Sequence, residues 1–79
     1  MRVYKEDKLQ EIYCNKCGRK IEVVNEIVRE GAFSVDYKWE YFSEKDGVMH
    51  SFDLCEHCYD RMVERFKYPV SESEYTELL

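Results

Sequence analysis

From Phe33 the chain alternates, with Phe33, Val35, Tyr37, Trp39 and Tyr41 falling on one side and Ser34, Asp36, Lys38 and Glu40 on the other. A period of two marks a strand with one face turned to a core. Val48, His50, Phe52 and Leu54 then alternate with Met49, Ser51 and Asp53, and Ser43-Glu44-Lys45-Asp46-Gly47 lies between the two runs. Asp-Gly is a turn signal, so this segment predicts a β-hairpin whose aromatic face supplies most of the apolar burial. After Leu54 the period changes. Cys58, Met62 and Phe66 recur at intervals of four, with Tyr59 and Val63 beside them. That spacing predicts an amphipathic helix to about Lys67, with Asp53 as its N-cap and Pro69 as its stop. Upstream, Ile21, Val24 and Val28 fit a helical spacing, while Ile21, Val23 and the β-branched richness fit a strand. We read a short strand and then a loop, ended by Gly31.

Two Cys-x-x-Cys pairs punctuate this pattern. Cys14-Asn15-Lys16-Cys17 comes early and is followed by Gly18, while Cys55-Glu56-His57-Cys58 opens the helical run. Two intervening residues let a turn aim both sulfurs at one point about 2.3 Å away, the zinc–thiolate distance. Gly18 tolerates positive φ and lets backbone N–H groups face the first pair of sulfurs, the arrangement of a zinc knuckle. The second pair sits at a helix start, where the dipole and free N–H groups favour negative charge. Cys14, Cys17, Cys55 and Cys58 therefore predict one tetrahedral Zn²⁺ site. Four protein thiolates leave no position for an activated water, so the predicted metal is structural. Iron bound as in rubredoxin is a rival, but rubredoxin pairs both lie in Gly-containing knuckles, whereas Tyr59 and a helix follow Cys58 here. A thiol redox switch is a second rival and lacks the βαβ context of such motifs.

Length makes a staple necessary. A chain of 79 residues is one domain too small to be comfortably stable by apolar burial alone. We assign residues 1–70 to that domain and 71–79 to an acidic tail. The opening residues, MRVYKEDKLQ, carry charge throughout and no apolar run, which predicts neither signal peptide nor membrane span and hence a cytoplasmic protein with reduced thiols. Twelve Lys and Arg against seventeen Asp and Glu give a net charge of −5. That field disfavours nucleic acid as a partner, although Arg19 with Lys20, or Arg61 with Arg65 and Lys67, is a candidate basic patch.

His57 and His50 are the remaining candidate ligands. With four cysteines completing the shell, His57 is expected to face solvent and His50 to be a half-buried sheet residue. Neither has a nucleophile or acid partner at a recognisable spacing, so no catalytic constellation emerges. Seven tyrosines, four phenylalanines and a tryptophan exceed what one hairpin face and one helix stripe hide. Most are expected in the core, with Phe42 and some of Tyr4, Tyr68 and Tyr75 forming an exposed aromatic patch of interface composition. Free sheet edges add a route to strand pairing with a second copy or another protein.

The order knuckle, β-hairpin and helix carrying the last ligand pair resembles the treble-clef zinc finger from Tyr13 to about Lys67, with residues 21–32 as an insertion. A zinc ribbon is the neighbouring alternative. The segment FSEKDGVMHSFDLCEHCYDRMVERFKYPV is also similar to small uncharacterised proteins of Firmicutes and their mobile elements. The resemblance implies a small α+β, treble-clef-like domain, and treble clefs serve many kinds of partner. The reading that follows is a non-enzymatic zinc module working through protein contacts or as a homodimer. A nucleic-acid-binding or transcriptional accessory protein, an acidic DNA mimic and a thiol redox sensor are the alternatives.

Overall fold

The computed structural model describes residues 1–75. Their element order is β1 (Arg2–Lys5), β2 (Lys8–Tyr13), β3 (Lys20–Ile21), β4 (Val23–Val24), β5 (Ile27–Val28), β6 (Ala32–Lys38), β7 (Met49–Cys55) and α1 (Glu56–Val63). The described residues form a small α+β structure of three antiparallel sheets and one helix near the C-terminal end, with strand orders β1-β2-β3, β4-β5 and β6-β7. Of the acidic tail, Ser71 to Tyr75 is exposed and without regular structure. Residues 76–79 lie outside the described residues.

The hairpin expected from the alternation forms as β6 and β7. Phe33 faces Leu54, Val35 faces Phe52 and Tyr37 faces His50 across the ladder, so the apolar residues share one face as their period demands. Helix α1 closes part of that face, with the Phe33 and Tyr59 rings 4.8 Å apart. The strand is shorter than the alternation suggests, because β6 ends at Lys38. Trp39 makes one more backbone pair, donating to the Val48 carbonyl at 3.0 Å. Tyr41 and Phe42 then enter the turn, where they are 78% and 97% exposed. Gly47 takes φ +88°, the left-handed conformation that the Asp-Gly signal implies.

Two hairpins escape the sequence pattern. Glu6 and Asp7 (φ 54° and 65°) turn β1 into β2, and Asn25 and Glu26 (φ 50° and 67°) turn β4 into β5. Two consecutive left-handed residues make the primed turn that matches strand twist, usually with glycine at one position. Here non-glycine residues hold it. The region from Ile21 to Gly31, read as a strand and a loop, is therefore the end of one sheet followed by a second small hairpin.

The helix departs from expectation at both ends. Cys55 is the N-cap, with no side-chain cap bond, and Glu64 is the C-cap. The chain leaves the helix through tight backbone bonds from Arg65 to Met62 and from Phe66 to Val63, well before Pro69. Asp53 is not the cap. It is buried on the hairpin face away from α1, where it accepts from Ser34 Oγ at 2.6 Å, Arg2 Nε at 3.2 Å and the Met1 ammonium at 3.0 Å. Burial opposes ionisation of this carboxyl, but these donors outweigh it and hold Asp53 below the ordinary aspartate range.

The core is small and its composition overturns one expectation. The buried apolar residues are Ile12, Cys14, Ile21, Leu54, Cys55 and Cys58. Half of them are cysteines and none is aromatic. Tyr37, expected inside, is 52% exposed, and His50 is exposed and accepts a bond from Trp39 Nε1 at 3.2 Å. The hairpin projects beyond the reach of an eight-residue helix, so its aromatic face is covered only near Phe33, Phe52 and Leu54.

Candidate metal centre

Each cysteine is delivered by an element whose geometry follows from local sequence. Cys14 directly follows β2, and the chain reverses through Asn15 to Arg19, with Cys14 N–H donating to the Arg19 carbonyl and Gly18 N–H to the Cys14 carbonyl, both at 2.9 Å. Gly18 sits at φ +79° with open space where a side chain would go, so backbone conformation and not crowding calls for glycine. The turn points the Arg19 N–H at Cys17 Sγ, 3.4 Å away. Cys55 is the last residue of β7, and Cys58 lies one turn into α1 on its buried side.

The four sulfurs lie within 4.8 Å of one another. Cys17 Sγ and Cys55 Sγ, from opposite halves of the chain, are 3.8 Å apart. A tetrahedron of sulfurs about 2.3 Å from a central ion has edges of about 3.8 Å, so the cluster has the size of a four-thiolate shell. Cys14, Cys55 and Cys58 are buried and Cys17 is exposed. The structure thus brings all four expected cysteines together and leaves both histidines outside: His57 is exposed on the helix, as expected.

The electrostatics of the four thiols bear on what the site can hold. Burial opposes ionisation of Cys14, yet backbone N–H groups of Cys17, Cys55 and Lys16 turned toward its sulfur bring the thiol down to about 6. Cys55 is also lowered, first by the Cys58 backbone N–H. Cys58 moves the other way: burial, then the neighbouring sulfurs, push it up to about 12. A cluster that favours some thiolates and rejects another is one a divalent cation completes.

Two features of this surround were not legible in the sequence. Arg19 bonds Glu30 through its guanidinium, at 51% side-chain exposure, and Glu30 also accepts from Glu22 N–H at 2.7 Å. The same guanidinium reaches the Cys55 sulfur, so Glu30 first and Cys55 second keep Arg19 firmly charged. Asn15 forms the other. Its N–H donates to the Asp53 carbonyl at 2.7 Å and its Oδ1 accepts from Asp53 N–H at 3.0 Å, a two-way clasp between the knuckle and the strand that carries Cys55. Spacing alone cannot reveal such pairs, since residues 15 and 53 meet only once the metal loops do.

No family model, curated protein or solved structure matches the chain. No helix among the described residues is long and apolar enough to cross a membrane.

Proposed function

We propose that this chain is a cytoplasmic, non-enzymatic interaction module folded around one structural Zn²⁺ held by Cys14, Cys17, Cys55 and Cys58. The observation that carries the reading is the composition of the core, in which cysteines from both ends of the chain take the place of a conventional apolar centre. A four-thiolate donor set is soft and matches zinc, and it leaves no open coordination position for chemistry. The setting of the ligands, a Gly18 knuckle after β2 and a helix start after the β6-β7 hairpin, supports the treble-clef description over the ribbon, in which both pairs lie on hairpins. No match supports the resemblance of residues 42–70 to Firmicutes proteins, and it adds no role.

With the metal supplying the centre, the exposed aromatics of the hairpin tip are free to serve contacts with protein. Of the two candidate basic patches, Arg19 and Lys20 are taken up by Glu30 and Glu11, which weakens the nucleic-acid reading. Metal analysis of purified protein is expected to give one zinc per chain. A chelator is expected to abolish the far-ultraviolet circular dichroism of the folded state and the thermal transition together. A chain that melts cooperatively and unchanged without metal refutes the structural role.

A further inference from the structure

Beside the metal centre, on the side of Cys17 and Cys58, lies a groove of about 650 Å³. Phe52, Leu54, Met62 and Phe66 form its apolar wall, and Lys16, Arg61 and Arg65 stand around it with no acidic side chain in the lining. In a chain of net charge −5 this concentration of cations is unexpected. Among the described residues none of the three is ion-paired; the basic groups that are, Met1, Arg2, Arg19 and Lys20, lie elsewhere. Phe66 is 47% exposed and lies just past the end of α1.

We propose that this groove docks an acidic segment of a partner protein, with leucine or aromatic side chains seated between Phe52, Met62 and Phe66 and carboxylates met by Lys16, Arg61 and Arg65. The inference rests on the module reading above and names the class of partner. Charge complementarity selects the occupant. Apolar walls ringed by unpaired cations reward a ligand that is at once apolar and anionic, and each arginine can take a carboxylate through two parallel bonds. A nucleic-acid backbone meets only the cations, leaves the apolar wall uncovered and is repelled by the acidic remainder of the surface. The chain's own Val70 to Ser73 runs instead past Tyr59, Asp60, Val63 and Glu64 on the adjoining helix face, so that stretch does not fill the groove.

The test pans a display library of random dodecapeptides on the zinc-loaded full chain, then measures the enriched peptides by fluorescence anisotropy. Enriched sequences are expected to interleave Asp or Glu with Leu, Phe or Trp. Their affinity is expected to fall at least tenfold in R61Q/R65Q and in F66A, and to be unchanged in K5Q/K8Q, which alters the N-terminal hairpin. Zinc content and circular dichroism of each variant are read on the same samples. Loss of metal there is a failure of the zinc reading, whereas intact zinc-loaded protein that enriches no such peptide, or binds it equally well in R61Q/R65Q, overturns the groove. Equally tight, R61Q/R65Q-sensitive binding of a single-stranded RNA oligonucleotide also overturns it, in favour of phosphate recognition.

Discussion

Arg19 shows how one surface residue can govern a buried centre. Its guanidinium bonds Glu30 and is close enough to Cys55 for each to favour the other's charged form, so its positive charge would offset part of the −2 that four thiolates leave on a zinc ion, while Glu30 fixes its position. Groups of this kind around metal ligands are commonly worth about 10- to 100-fold in affinity. R19A is expected to weaken zinc binding by that order, read by competition with a chromophoric chelator, and R19K to recover part of the loss, because a lysine supplies charge without the planar fork. Unaltered affinity in R19A would reduce Arg19 to a surface ion pair. The thiols themselves set a pH dependence. Burial and the neighbouring sulfurs push the Cys58 thiol up to about 12, so metal binding must displace its proton throughout the neutral range and zinc affinity is expected to rise with pH. The logarithm of the zinc association constant is therefore expected to climb with pH, each displaced proton contributing about tenfold per pH unit. A flat profile between pH 5 and 8 would contradict this.

Among the elements, those with a strong period were readable and those set by turns were not. The alternation of residues 33–37 and 50–54 placed β6 and β7, and Gly47 marked their turn. The β1-β2 and β4-β5 hairpins were hidden because Glu6-Asp7 and Asn25-Glu26 lack the glycine that signals a primed turn, and strands of two residues such as β4 and β5 carry no period. These turns hold non-glycine residues in the left-handed region, which costs roughly 1 kcal/mol or more per residue. Glu26, at φ 67°, follows Asn25, so Glu26→Gly creates the favoured Asn-Gly turn. It is expected to stabilise the zinc-loaded protein by about 0.5 to 1 kcal/mol, less than the full strain because glycine also frees the unfolded chain. The urea midpoint at saturating zinc reads the change, and a lower midpoint would mean that the Glu26 side chain contributes in the folded state. The helix ended early for a related reason. Its apolar stripe continues to Phe66, but the stripe has nothing to cover beyond Met62, and the chain turns away.

For the molecule as a whole, the clustering of the four cysteines was the most legible feature and the location of the aromatics the least. Two equal cysteine spacings survive any uncertainty about what lies between them, whereas the fate of Tyr37, Tyr41 and Phe42 depends on how much core exists to receive them. There is little. The radius of gyration is 15.3 Å, against about 12 Å for a compact chain of this length, and the sheets meet mainly where the cysteines do. The β1-β2-β3 sheet reaches β7 and α1 through Ile12, Ile21 and the thiol cluster, and through the Asn15 and Asp53 clasp beside it. Without a bound ion the centre would hold thiols and thiolates in place of a bond network, so the two halves would lose their common anchor. Amide exchange should reveal this as one cooperative unit. With zinc, amides around Ile12, Ile21 and Leu54 are expected to exchange about 100-fold or more slower than after chelation, while residues 40–48 at the hairpin tip exchange fast in both states. If Ile12 and Ile21 kept their protection without metal, the N-terminal sheet would be a folding unit of its own, and zinc would join two preformed pieces instead of creating the fold.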